Sequence, residues 1–190
     1  MLNIKRAKDN RVVKCIVRRI ADIPGGVTVS VANLGGNDLF EGTPIGVGAN
    51  GLFVVCKTAQ IITKAEATAT QYEVAKGHHF KVGDRFATDA CNGKQITNID
   101  KSNPAKDVIT LAATLGAVVN PNTCAFESSG DNKTLKVVPE AIVGSNMSVE
   151  PGENLFVDAW VHAMVRKNNA PIVNKAIEDA LKNVSYLKHF

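Results

Sequence analysis

Turn signals interrupt this chain so often that no long helix can form over most of its length. Fifteen glycines and seven prolines separate short β-branched runs, a spacing that specifies many strands joined by tight turns. Residues 12–19 read as a first strand, or as an arm that becomes one. Pro24-Gly25-Gly26 and Gly35-Gly36-Asn37-Asp38 are turns, and Val27, Val29 and Val31 alternate with Thr28 and Ser30 between them. Residues 45–47 and 52–57 flank Asn50-Gly51, a hairpin signal because both residues tolerate positive φ. Further short strands are expected at 60–63, 71–75, 85–88, 95–99, 108–111 and 124–127, and β character resumes at Leu135, Val137 and Val138 and at 141–143. Propensity does not decide whether 64–70 is a helical turn or a polar linker. Ser128-Ser129-Gly130-Asp131-Asn132 is the most linker-like stretch.

Two C-terminal segments are longer. Residues 155–166 read as one strand, with Leu155, Val157, Ala159, Val161, Ala163 and Val165 on an apolar core face. Phe156, Asp158, Trp160, His162, Met164 and Arg166 form the other face, suited to solvent or to another subunit. Residues 171–184 read as a helix. Pro171 suits its first turn, and Ile172, Val173, Ala176, Ile177, Ala180, Leu181 and Val184 form an apolar stripe. Asn174, Glu178, Asp179 and Lys182 are expected to face away, with Lys175 and Asp179 paired.

Charge is concentrated at one end. Lys5, Arg6, Lys8, Arg11, Lys14, Arg18 and Arg19 stand against Asp9 alone, so residues 1–19 carry +6 of a chain whose net charge is +4. The rest sums to −2, which argues against a nucleic-acid surface spread over the fold. No apolar run approaches the ~20 residues that span a bilayer. Arg18, Arg19 and Asp22 interrupt the only candidate for the core of a secretory signal. Cys15, Cys56, Cys91 and Cys124 form no C-x-x-C pair and are expected to be reduced and mostly buried.

The residues that could carry chemistry read as structural. His78-His79 is the only histidine cluster. Neighbours on an extended segment point to opposite faces, so they suit a turn better than a shared metal ion. Cys91, thirteen residues beyond His78 in an exposed-looking Asn-Gly turn, adds no ligand spacing. Asp84, Asp89, Asp100 and Asp107 sit beside Gly, Asn, Pro or other turn residues, where Asp bonds the turn backbone. Gly42-x-x-x-Gly46-x-Gly48 lacks the Gly-Lys-Ser/Thr of a phosphate loop. No cysteine lies in an activating sequence, and no G-x-S-x-G elbow is present. Tyr72, Phe80 and Phe86 near Lys76, Lys81 and Arg85 make a weak oligonucleotide-binding pattern. Buried barrel residues explain it more simply. These readings lead to a mainly β chain with no catalytic residue, metal or cofactor, closed by one C-terminal α-helix.

Several stretches read together suggest a family. Glu41-Gly42-Thr43-Pro44-Ile45-Gly46-Val47 with Asn50-Gly51-Leu52 resembles a hairpin of tailed-phage head decoration proteins. The run Tyr72-Glu73-Val74-Ala75-Lys76-Gly77-His78-His79-Phe80-Lys81-Val82-Gly83-Asp84 is more distinctive. With residues 99–103 and 107–111, and with 141–144, 157–165 and Pro171 in the C-terminal part, it resembles head decoration or head fibre proteins of phages and prophages of gut Bacteroidales. The resemblance covers most of residues 10–187 and rests on turn-and-strand patterns.

The resemblance implies a non-catalytic virion protein, made in the bacterial cytoplasm, that binds and stabilises a phage head lattice through the major capsid protein, as a homotrimer. The fold it implies is a β-barrel or β-tulip-like platform. The chain is longer than lambda-type decoration proteins, and the excess is expected to form an inserted SH3-like barrel. The expected division is a basic arm or edge strand at 1–19, a decoration-type β domain from 20–63 and 133–190 with the C-terminal helix, and a small inserted barrel at 66–130.

Within that picture Lys5, Arg6, Lys8, Arg11, Lys14, Arg18 and Arg19 are the expected capsid contacts, and Phe156, Trp160 and Met164 the expected subunit contacts. A plain edge strand with a charged outer face is the other reading of the arm. A carbohydrate- or surface-binding adhesion module, marked by Trp160, Tyr186 and Phe190 exposed together on a cell-surface glycan site, is the alternative function. A nucleic-acid-binding barrel is a remote one, and no membrane partner is expected.

Overall fold

A computed structural model describes residues 14–36, 38–150 and 152–188. It is mainly β, 41% strand against 5% helix, with a curled half-barrel sheet and a single short C-terminal helix. In chain order the strands are β1 (Ile16–Asp22), β2 (Val27–Val29), β3 (Asp38–Leu39), β4 (Pro44–Val47), β5 (Phe53–Val55), β6 (Thr58–Gln60), β7 (Gln71–Val74) and β8 (Arg85–Thr88). They continue as β9 (Lys94–Asp100), β10 (Asp107–Leu111), β11 (Cys124–Glu127), β12 (Ala141–Val143), β13 (Met147–Ser148), β14 (Leu155–Val157), β15 (Ala159–Arg166) and β16 (Val184–Leu187). The helix α1 (Lys175–Ala180) precedes β16.

The first sheet has the order β1-β15-β12-β4-β5-β2-β14, with β16 added to β15. β1 pairs along β15 from Val165 to Trp160, so β12 and β16 must share the opposite edge of that long strand. β14 and β15 are separated only by Asp158 yet lie far apart in the order, which requires the sheet to curl. Its interior holds Val29, Leu39, Ile45, Val143, Val157 and Ala159. A second cluster, with Cys15, Ile142, Ala163, Val165, Ile177 and Leu181, packs with α1, and Ile142 faces away from its β12 neighbours Ala141 and Val143.

The second sheet takes its strands from residues 58–127, in the order β6-β11-β8-β9-β10-β7. It too curls: Ala75 N donates to Gln60 O at 2.9 Å and Ile62 N to Glu73 O at 3.0 Å, bringing β7 back to the end of β6. Tyr72, Phe80 and Phe86 fill its centre, with ring centroids 5.6 Å (Tyr72–Phe86) and 5.4 Å (Phe80–Phe86) apart. Ile61, Val74, Ile96, Ile109 and Leu111 complete this separate core. Residues 58–60, expected with the platform, therefore pair in the second sheet. The 64–70 stretch is a loop fixed by the Ala65–Val119 bridge and an Ala69 N to Glu66 O turn bond.

Several expectations are corrected. The single strand over 155–166 is two strands. Asp158 makes the break, accepting from Ser145 Oγ at 2.8 Å and Trp160 Nε1 at 3.2 Å while its carbonyl accepts from Gly144 N. The alternation survives the bend, because Leu155, Val157, Ala159, Ala163 and Val165 are all buried.

The helix expected over 171–184 is only Lys175–Ala180. Asn174 is its N-cap, so Pro171 lies before the helix, and Asn174 is buried where solvent exposure was expected. Val184 keeps its place in the core but in a strand parallel to β15, where tertiary pairing outcompetes the helical period. Residues 135–138 form no strand; a Ser128–Leu135 bridge and a Lys136 N to Glu127 O bond at 3.0 Å hold them.

Candidate functional site

Residues 1–13 lie outside the described part, and with them the expected contacts Lys5, Arg6, Lys8 and Arg11. The remaining three, Lys14, Arg18 and Arg19, are exposed. Arg18 lies on β1, the edge strand of the first sheet, among exposed Val17 and Ile20.

Arg19 is turned to a structural task. Its Nη2 donates to Glu41 Oε1 at 2.9 Å and to the Gly144 carbonyl at 2.5 Å, and its guanidinium lies 5.5 Å over the Trp160 ring. Glu41 is buried, accepts Cys15 N–H at 2.8 Å on Oε2, and its own N–H donates to Asn146 Oδ1 at 2.7 Å. The Arg19 and Cys15 N–H bonds offset the cost of burying this carboxylate.

The three expected subunit-contact residues are not equivalent. Phe156, on β14, is 64% exposed. Trp160 and Met164, on β15, are half-buried, and Trp160 packs against the interior beside α1. Tyr186 is half-buried with its hydroxyl enclosed, and Phe190 lies outside the described residues.

A cleft runs along the junction of the two sheets. One part, about 210 Å³, is lined by Cys15, Phe40, Glu41, Ala59, Gly77 and Pro171 among others. The other, about 400 Å³, includes Gly35, Gly36, Asp38, Lys76, His78, Lys101 and Asp107. Gly35 N donates to His79 O at 3.0 Å, Lys101 Nζ to Gly35 O at 2.5 Å and Lys81 Nζ to Ala32 O at 3.2 Å, so the 32–36 loop is stitched to the second sheet.

His78 and His79, directly after the Lys76-Gly77 turn, are buried at this seam. They do point apart. His78 Nδ1 accepts from Phe80 N–H at 3.2 Å, and its Nε2 faces Asp107 Oδ2 at 3.1 Å. His79 lies against Gly36. Burial pushes the His78 ring below the usual imidazole range, with Asp107 opposing it. Burial pushes His79 down to about 4, with the His78, Lys57 and Lys101 charges adding to the effect.

Asp107 is likewise buried, bound to Lys76 Nζ at 2.5 Å, and is not a turn former. Asp100 does bond a turn, accepting from Ser102 N. Cys91, expected in an exposed turn, is buried along with the other three thiols. Burial, reinforced by Glu41, pushes Cys15 up to about 12, and burial with Glu127 does the same to Cys56. Such thiols are poor nucleophiles because the reactive species is the thiolate. Among the described residues no group of three or more His, Cys, Asp or Glu is placed to hold a metal ion, and no helix is long and apolar enough to cross a membrane.

Sequence reasoning missed one buried network. Lys57, between β5 and β6, and Glu127, at the end of β11, stand where the chain enters and leaves the second sheet. Both are buried, with Asp84 beside them. Nothing in the sequence marks these residues, since each is a common surface type and they are far apart in the chain. No protein-family model, curated protein or solved structure matches the chain.

Proposed function

We propose that this chain is a non-catalytic virion protein that decorates and stabilises a phage head, docking on the major capsid protein through β1 and the basic residues that precede it. The observation that carries this reading is the composition of β1. It is an edge strand seven residues long that exposes Val17 and Ile20 together with Arg18, and Lys14 is exposed just before it.

An edge strand offers unpaired backbone groups to another chain. Apolar side chains there supply burial, and cations supply steering toward an acidic surface. The turn-and-strand resemblance to head decoration and head fibre proteins gives the partner its class and suggests a homotrimer on the lattice. Phe156, largely exposed on β14, is the residue best placed for contact between subunits. The glycan-binding alternative calls for Trp160 and Tyr186 exposed together, and the Arg19 guanidinium over Trp160 does not favour it.

Co-sedimentation with undecorated, expanded head shells tests the proposal. The wild-type chain is expected to pellet with the shells, more weakly as salt rises, since exposed charge contacts are screened within about 10 Å at 0.1 M. Deleting residues 2–11, or replacing Val17 and Ile20 with Asp, is expected to abolish pelleting. Unchanged pelleting and salt dependence in both variants would exclude β1 and its arm as the contact. A wild-type chain that never pellets would overturn the decoration reading.

A further inference from the structure

The buried network at the chain's crossing between sheets has the parts of a condensation reaction. The side chains of Lys57, Asp84 and Glu127 are 3%, 12% and 3% exposed. They come from three neighbouring strands, because Lys57 immediately precedes β6, Asp84 immediately precedes β8, and Glu127 ends β11, which pairs with both. Glu127 N donates to Lys57 O at 3.0 Å, and Glu127 stands opposite Phe86, so the ladder fixes the register.

Within this frame Lys57 Nζ lies 2.6 Å from Asp84 Oδ2 and 3.6 Å from Glu127 Oε2. Asp84 Oδ2 also accepts Lys81 N–H at 2.8 Å. Amine and carboxyl are thus held in contact, where orientation replaces a bimolecular encounter. Surrounding protein limits water's access, the Lys81 N–H stands ready for charge developing on the carboxyl oxygen, and a second carboxyl, Glu127, lies within reach to carry protons.

We propose that Lys57 and Asp84 condense to an intrachain amide, with Glu127 moving the protons. The Lys57 ammonium passes one proton through Glu127 to the Asp84 carboxylate. The neutral Nζ then adds to Cγ. As that intermediate collapses, Glu127 carries a second proton from Nζ to the departing hydroxyl, which leaves as water. One C–N bond forms, one C–O bond breaks, and Glu127 ends as it began. No oxidant or reductant is needed.

Burial raises the Glu127 carboxyl above the usual range although Lys136 Nζ binds its Oε1 at 2.5 Å, consistent with a group that can hold a proton. The link would tie β6 to β8 around β11. Like any cross-link, it would stabilise the fold mainly by restricting the unfolded chain. It would also fasten the second sheet at the point where the chain leaves the first. This inference does not depend on what the protein docks against.

Mass spectrometry of the denatured full-length chain tests it. The expected mass is one water, about 18 Da, below that of the sequence, and digestion should release the peptides holding Lys57 and Asp84 joined. Glu127→Gln should keep the full mass, or lose water at least tenfold more slowly, with its fold checked by circular dichroism. If that variant does not fold, the wild-type mass and peptide map still decide. A wild-type chain that keeps its full mass after days at room temperature, or whose missing water maps to another residue, overturns the proposal. A folded Glu127→Gln chain that condenses at the wild-type rate removes Glu127 from it.

Discussion

Asn174 makes two bonds with one side chain. Its Oδ1 caps α1 by accepting from Ile177 N–H at 3.0 Å, and its Nδ2 donates to Asp89 Oδ1 at 2.6 Å. The sequence placed it on the outer face of a longer helix, because an asparagine inside a periodic stripe carries no sign that it begins the helix. His78 and His79 were legible as a pair pointing apart, but their burial was not, since the covering loop at residues 32–36 is distant in sequence. That burial has a consequence in acid. The native state keeps His79 neutral down to about 4, whereas an unfolded histidine binds its proton near pH 6.5. A depressed histidine therefore contributes full stability above about pH 6.5 and loses it as pH falls toward 4, because the unfolded chain binds protons first. His78, Asp107, Lys57 and Lys101 surround the site and are included in that balance. Urea unfolding from pH 7 to 4 should show stability falling by a few kcal/mol. His79→Gln should flatten part of the slope, and an equal slope in both proteins would show that His79 does not titrate this way.

At the scale of elements, β1 illustrates how far local reading reaches. Basic and β-branched residues at 12–19 specify a charged strand, and the observed strand is Ile16–Asp22. Its ladder to β15 contains register shifts between Ile16 and Arg18 and again past Arg19. Simple alternation therefore does not place its side chains, and Arg19 turns in to Glu41 while Arg18 faces solvent. Glu41 then anchors the strand's start through Cys15 N–H. Glu41→Gln removes the charge that Arg19 meets and is expected to cost about 2 kcal/mol, within the range for a charged hydrogen bond and below that for breaking a fully buried pair, because Arg19 is partly exposed. Thermal or urea unfolding measures it. A change below about 0.5 kcal/mol, the level of an ordinary surface substitution, would show that Glu41 is not what holds β1.

For the whole molecule, the two sheets have separate cores but share a seam of buried polar groups. Lys57, Glu127, Asp107 and His78 are buried near it, each paired within the second sheet, and separating the sheets would expose them to solvent. Asn174 before α1 reaches Asp89 just past β8, and Gly35 in the loop after β2 reaches His79. Unfolding is therefore expected to be one cooperative transition. The single tryptophan, Trp160, reports on the first sheet, while circular dichroism reports on both. Their denaturation curves should coincide, and two separated midpoints would show that each sheet unfolds by itself.

The sequence by itself determined the mainly β class, the position of most strands, the turns between them and the core face of residues 155–165. Those properties follow from residue-by-residue turn chemistry and a period of two, which act over a few neighbours. Only the tertiary structure decided which strands pair, that residues 155–166 bend at Asp158 to serve both ends of one curled sheet, and that Val184 belongs to a strand. It also decided that Lys57, Asp84 and Glu127 meet, largely shielded from solvent. Each of these depends on segments tens of residues apart arriving at the same place, and spacing along the chain carries no record of that meeting.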